Sequence, residues 1–288
     1  MSGERVALVT GASGGLGRAI AVRLAAEHGM RVLLLARSRE KTESARDEVN
    51  RRSGRSDAEI VACDLGSLRS VRETASELAA RLPRLDVLVN NAGVLTTKRE
   101  LTEDGFERQL GVNHLGHFAL SGLLFGLLER SEDARLVVVS SGAHKIGRMS
   151  YEDPQLERGF TVWGAYGRSK LANVWFVREL ARRLPERGTF SANALHPGAV
   201  ATQLGVDRRT GFGAGVHRLL RPFFLTPERG AETAIHLATS DEVRGRSGGY
   251  YYRSREEAPS RRARDAEAAR VFWDWSEAQT GVRWPVRS

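Results

Sequence analysis

Short apolar runs alternate with longer amphipathic stretches along most of the chain. Val6, Ala7, Leu8 and Val9 form the first run, bounded by Gly11. A run this short, apolar at every position, reads as a strand buried on both faces. Comparable runs at 31–36, 59–65, 85–89, 135–141, 191–198 and 248–252 predict six or seven such strands. Helical spacing follows the first at Ile20, Leu24 and Ala25, and a charged helix is predicted to end near residue 52. Further helices are predicted at 67–81, at 102–130 with an irregularity around Gly111 and Gly116, and at 163–183. Thr226, Pro227 and Glu228 open another: threonine caps, proline suits the first turn, and glutamate complements the dipole.

Buried strands alternating with helices predict an α/β fold, a doubly wound parallel sheet in a single domain. Its core spans about residues 5–252. Residues 199–226 are glycine-rich and irregular in pattern, and are expected to form a lid over a site. Residues 253–288 turn charged and then aromatic, and are expected to be a C-terminal surface extension. It would carry a helix near 266–278 anchored by Phe272, Trp273 and Trp275. No internal repeat of fixed period is present.

Composition narrows the function classes. With 41% hydrophobic residues in 288, the chain can bury a sizeable core. Cys63 is the only cysteine, which excludes an intrachain disulfide or a cysteine cluster and suits a reducing, cytoplasmic setting. The N-terminus runs straight into the first strand without the pattern of a secretion signal. The apolar stretch 118–128 is too short for a bilayer and is interrupted by Ser121 and Gly122, so no membrane partner is expected. The net charge of +9 is scattered among acids, without basic blocks flanked by stacking aromatics. A solvated basic surface that draws in a phosphorylated small molecule is expected, not a nucleic-acid binder.

The chemistry centres on Tyr166 and Lys170, four residues apart and so on one helical face. An ammonium beside a phenol favours the phenolate and would lower the tyrosine pKa toward neutrality, fitting it for acid–base work. Such a pair is common by chance, and the rest of the chain gives it weight. Between Thr10 and Gly17 a glycine turn links the first strand to the first helix. Gly11 permits the turn, Gly15 close approach of a pyrophosphate, and Gly17 packing of helix on strand. The spacing is Gly-x-x-x-Gly-x-Gly, which a purely structural turn would also satisfy.

At the end of the second strand, an NAD site would carry an acid for the ribose hydroxyl. Arg37 stands there, followed by Ser38, Arg39 and Lys41, which points to a 2′-phosphate and NADP over NAD. Arg39 and Lys41 equally suit the start of a solvated helix. Asp64 could meet an adenine amino group or begin a turn. Asn90, Asn91, Ala92 and Gly93 end the fourth strand, and Ser140 and Ser141 end the fifth, at the edge where ligands bind in open sheets. His114, His117 and His144 lack the glutamate pattern of a zinc hydrolase, and no metal site is expected.

Thr10-Gly-x-x-x-Gly-x-Gly17, Asp64 with Leu65, Asn90-Asn-Ala-Gly93, Asn113, Ser141, Tyr166-x-x-x-Lys170 and Pro197 with Gly198 occur in one order. That ordered set resembles the short-chain dehydrogenase/reductase family over about residues 5–252. Three features are similar to its retinol-dehydrogenase-like branch. They are Ala36-Arg37-x-x-x-Lys41, Ser140-Ser141-x-Ala143-His144 with Ser141 and Tyr166 25 residues apart, and Ser169-Lys170-Leu171-Ala172-Asn173. The animal members of that branch often carry an N-terminal membrane anchor, and none is read here.

The resemblance implies a Rossmann-type, three-layer α/β/α domain that moves hydride between NADP and a carbonyl or alcohol, as a carbonyl reductase does. It implies Tyr166 as acid/base, Lys170 as its tuning cation and ribose ligand, Ser141 as the group orienting the substrate oxygen, and Asn113 as helix former and relay support. It implies cofactor contacts from Gly11, Ser13, Gly15, Leu16 and Gly17, from Arg37 and Lys41, and from Asp64 and Leu65. Asn91, Ala92, Gly93, Tyr166, Lys170, Pro197, Gly198, Val200 and Thr202 complete that set. It also implies a homodimer paired through the helices at 102–130 and 163–183. An alternative is a catalytically silent NADP-binding sensor or scaffold.

Overall fold

The computed structural model describes residues 4–184, 190–199 and 225–285. Strands β1 (Val6–Thr10), β2 (Arg31–Ala36), β3 (Glu59–Ala62), β4 (Val87–Asn90), β5 (Arg135–Val139), β6 (Ser191–His196) and β7 (Tyr250–Tyr252) run parallel, and β8 (Arg255–Glu256) closes one edge antiparallel. The order across the sheet is β3-β2-β1-β4-β5-β6-β7-β8. The chain direction across the sheet therefore reverses between β1 and β4, where Leu8 pairs with Leu33 on one side and Leu88 on the other.

Each central strand serves two cores because successive side chains point to opposite faces. Leu8, Leu33, Leu88, Leu136 and Val138 face one core, which is completed by helices α3 (Leu68–Arg81), α5 (Gly116–Leu123), α6 (Phe125–Leu128), α7 (Val162–Arg183) and α9 (Ala266–Thr280). Ala7, Val9, Leu34, Val89 and Val137 face the other, under α1 (Gly15–His28), α2 (Arg39–Ser53) and α8 (Pro227–Thr239). This is the three-layer Rossmann-type arrangement. Thr226 caps α8 by accepting from the Arg229 N–H, as its sequence promised.

The helix expected at 102–130 starts later. Leu101 bridges antiparallel to Glu107, so the chain first makes a tight turn. One helical turn, α4 (Arg108–Leu110), then runs into a π-turn at Gly111–Leu115 before α5. The irregularity at the two glycines has a steric origin. A Cβ at Gly116 would overlap the Leu65 carbonyl oxygen, and one at Gly111 would overlap the Thr102 methyl.

The surface-extension reading of 253–288 needs correction. Phe272, Trp273 and Trp284 are buried in the same core as Phe118 and Phe176. Trp273 stacks on Phe176 at 5.9 Å, and the Trp284 ring lies 5.7 Å from Phe118. The charged stretch before α9 suggested a solvated tail, yet the aromatic stripe of α9 finishes the layer that α7 begins. Residues 200–224, most of the expected lid, lie outside the described residues. No helix among the described residues is long and apolar enough to cross a membrane.

Arg168 stands inside the Tyr166–Lys170 motif but points away from its chemistry. Its guanidinium meets the Glu107 carboxylate at 3.0 Å and the Pro154 carbonyl at 2.6 Å, and both charged side chains are essentially fully buried. The carboxylate also accepts from the Gln109 and Leu110 N–H groups, capping α4. One ion pair thus joins α7, the approach to the π-turn and the long segment before α7. Removing one partner strands a buried charge. Glu107→Gln is expected to cost about 3 kcal/mol or more, measured by urea unfolding.

Candidate active site

The glycine turn sits at the carboxyl end of β1, at the switch point of the sheet. Gly11 and Gly15 hold φ of +67° and +53°, which glycine adopts without a Cβ penalty. A Cβ on Gly17 would overlap the Gly11 carbonyl oxygen, so α1 can approach β1 this closely only there. α1 begins with no side-chain cap and no acid in its first turn. Side chains do cap α2, α3, α7, α8 and α9, from Ser38, Ser67, Thr161, Thr226 and Asp265. The first N–H groups of α1 therefore stay available to an anion, and the space where a Gly14 Cβ would stand is open. These residues fit a pyrophosphate. Ser13 is exposed beside them, and Leu16 is buried beneath.

Arg37 and Lys41 are exposed beyond the end of β2, and neither is paired with a carboxylate among the described residues. Asp64 is exposed past β3, where its carboxylate closes a turn by accepting from the Gly66 N–H at 2.9 Å. Leu65 beside it is buried. Past β6, Gly198 takes φ +83° after Pro197. Val200 and Thr202 lie outside the described residues.

Thr10 ties the end of β1 to the end of β4. Its hydroxyl accepts from the Asn91 and Ala92 N–H groups, both at 2.9 Å, and the Asn91 amide donates to its carbonyl at 2.7 Å. Gly93 then runs past the catalytic candidates. A Cβ there would stand 3.6 Å from Asn113 Oδ1 and 3.7 Å from Lys170 Nζ. Asn113, buried in the π-turn, accepts from the Val94 N–H at 2.7 Å and donates to the Val94 carbonyl and to Ser169 Oγ, both at 3.0 Å. Ser169 Oγ donates to the Tyr166 carbonyl at 2.8 Å. The Asn113 side chain is thus a clamp between β4 and α7.

Ser141, Tyr166 and Lys170 converge at the end of β5. Ser140 Oγ donates to the Lys170 carbonyl at 2.7 Å, fastening α7 to that strand. Lys170 Nζ donates to the Val139 carbonyl at 3.0 Å and lies 5.6 Å from the centre of the Tyr166 ring. The Ser141 hydroxyl stands beside the phenol and accepts from the Ala143 N–H at 3.2 Å. Ser140 and Ser169 escaped the sequence reading as supports, although both stand inside the quoted motifs. A serine hydroxyl that bonds a nearby backbone carbonyl leaves no pattern to read.

The expected lowering of the Tyr166 pKa is not what the structure produces. Burial pushes the phenol up to about 12, and the neighbouring Ser141 hydroxyl only partly offsets this. Burial also pushes Lys170 down to about 8 from 10.5. Spacing alone could not reveal this, because both groups are desolvated together. The phenol is therefore held as a proton donor at neutral pH.

Lys170 then makes stability depend on pH in a defined window. Its folded pKa lies below the unfolded value, so the unfolded chain binds the extra proton between about pH 8 and 10.5. The destabilisation is present in full below that window and is relieved as pH rises through it. Relative to Lys170→Met, the wild-type chain is expected to gain roughly 3 kcal/mol between pH 8 and 10.5, by urea unfolding of each protein across the window.

A family model described as short chain dehydrogenase matches residues 5–211. Retinol dehydrogenase 14 of Mus musculus is 45% identical over 98% of this chain and 87% of its own length. The crystal structure of an uncharacterised protein from Mycobacterium Paratuberculosis superimposes with a TM-score of 0.75 at 34% identity, covering 98% of this chain and 95% of that one. A short chain dehydrogenase from Shigella flexneri, solved in complex with NADP, gives a TM-score of 0.67 at 27% identity over 87% of this chain and 97% of that one. With this fold, this glycine turn and these relatives, the chain belongs to the short-chain dehydrogenase family, in its retinol-dehydrogenase-like branch, and is an NAD(P)-dependent oxidoreductase.

Proposed function

We propose that the chain is an NADP-preferring carbonyl reductase in which Tyr166 gives a proton to the substrate oxygen. The observation that carries this reading is the meeting of Ser141, Tyr166 and Lys170 beside Gly93, at the sheet edge that also holds the glycine turn. Bound along that edge, the nicotinamide coenzyme supplies or takes up the hydride. Everything else falls to the chain. Tyr166 holds the transferable proton on a phenol that burial keeps protonated. Ser141, beside that phenol, fixes the carbonyl oxygen against it. Lys170 places a positive charge within reach of the oxygen on which negative charge develops. Asn113 keeps the β4 exit and α7 in register, and so keeps these groups together.

Arg37 supports NADP, because it offers a cation, unpaired among the described residues, where an NAD site has an acid. The NADP complex of the Shigella relative supports the same choice. The substrate side has an apolar wall. Trp163 is 61% exposed and packs edge-on to Tyr166, with ring centres 6.2 Å apart. Apolar aldehydes and ketones are the proposed class, and retinal belongs in the test panel because a relative is named for a retinoid.

Tyr166→Phe should bind NADPH as the wild type does while turnover falls by about a hundredfold or more, read as NADPH consumption with that panel. Turnover at the wild-type rate would remove Tyr166 from the role. Arg37→Ala should lose roughly tenfold of NADPH affinity and leave NADH affinity unchanged, measured by fluorescence titration. Equal losses for both coenzymes would contradict the 2′-phosphate assignment.

A further inference from the structure

The three histidines that the sequence set aside as metal ligands are buried, and among the described residues no metal-binding cluster includes them. Each instead bridges two fixed partners. His117 Nδ1 lies 3.1 Å from the Asn113 carbonyl oxygen, and its Nε2 lies 2.8 Å from Thr10 Oγ1. His144 Nδ1 lies 2.8 Å from the Ser141 carbonyl oxygen, and its Nε2 lies 3.1 Å from the Ser260 backbone nitrogen. A carbonyl only accepts and a backbone N–H only donates, so the partners dictate the tautomer. In both rings Nδ1 carries the proton and Nε2 offers its lone pair.

We infer that His117 and His144 are positioning residues of the active site: each, as a neutral Nδ1–H imidazole, pins the backbone carbonyl of Asn113 or Ser141 to a distant part of the scaffold. For His117 the distant part is Thr10, whose hydroxyl donates to Nε2 and so keeps its own lone pairs for the Asn91 and Ala92 N–H groups. A proton on Nε2 would displace the Thr10 hydrogen and break that arrangement. For His144 the distant part is the segment that leads into α9. Burial keeps both rings neutral, driving His117 down to about 3 and moving His144 in the same direction.

His114 also bridges the site to the C-terminal segment, one step removed. Its Nδ1 lies 3.3 Å from Asn173 Oδ1, and its Nε2 lies 3.2 Å from the hydroxyl oxygen of Ser276 in α9, which itself donates to the Phe272 carbonyl. Asn173 in turn donates to the Val139 carbonyl, the same oxygen that receives Lys170 Nζ. The C-terminal segment thereby reaches the reacting groups from two directions, through Ser260 and through Ser276.

The role assigned to these rings rests on the proposed function of Tyr166, Ser141 and Lys170; their tautomers do not. Long-range nitrogen–proton correlation spectra of the full chain, labelled with 15N-histidine, should show His117 and His144 neutral and protonated at Nδ1 at pH 7. An Nε2–H tautomer at either residue overturns the inference, whatever the variants do. The second measurement compares His144→Phe, which keeps a ring without nitrogens, with His144→Asn, which restores a donor near the δ position. It uses NADPH and the carbonyl that the wild-type chain reduces fastest.

The phenylalanine variant should lose roughly tenfold to a hundredfold in kcat with the KM for NADPH little changed, because the Ser141 turn shifts by a fraction of an ångström. The asparagine variant should recover most of the loss. Wild-type kcat in a folded phenylalanine variant contradicts the inference. So does an asparagine variant no better than phenylalanine, since a purely space-filling ring would give either result. If Tyr166→Phe still turned over while the tautomers stood as stated, the proposed function alone would fail.

Discussion

The structure is organised around a buried ammonium beside a buried phenol. Lys170 and Tyr166 are both almost wholly removed from solvent, and among the described residues the charge on Lys170 has one acceptor, the Val139 carbonyl. Burying a cation with so little compensation is costly, and its depressed pKa registers that cost. What surrounds the pair has the effect of preventing its relaxation. Ser140 holds the Lys170 backbone to β5, Ser169 and Asn113 hold Tyr166 to the β4 exit, and the Glu107–Arg168 ion pair secures the outer face of α7. A group that could swing into water would regain an ordinary pKa and lose its value as a tuned acid.

Desolvation therefore outweighs proximity in this site. A lysine one helical turn from a tyrosine suggests a phenol drawn toward ionisation, yet the phenol here is held protonated. The two statements differ because proximity is local and burial is not. Burial comes from the docking of α7 against the end of β5, which the sheet brings together. A protonated Tyr166 beside Ser141 suits the proposed reduction, and the uncapped α1, with an Arg37 that meets no carboxylate among the described residues, suits a phosphorylated donor coenzyme.

Much of the fold was legible in the sequence because its signals were local. The parallel strands announced themselves as short apolar runs, the glycine turn by its position between strand and helix, and α8 by Thr226 and Pro227. The members of the candidate site could also be named, since their motifs are short. What escaped depended on distant partners. The antiparallel β8, the late start of the helix before the π-turn, and the burial of Trp273 and Trp284 all arise from packing between remote segments. The histidines illustrate the same limit. Their spacing raised the question of a metal, while their partners, Thr10, Ser260 and Ser276, lie up to 162 positions away along the chain.

The central claim, that burial keeps Tyr166 protonated beside a destabilised Lys170, is open to a direct optical measurement. Ultraviolet difference titration of the coenzyme-free wild-type chain against Tyr166→Phe isolates the absorbance of the one phenolate. No Tyr166 phenolate signal is expected to develop below about pH 10, the range in which an unperturbed tyrosine starts to ionise. A signal that rises between about pH 6 and 8 would contradict the account, because proximity to the ammonium would then dominate over burial.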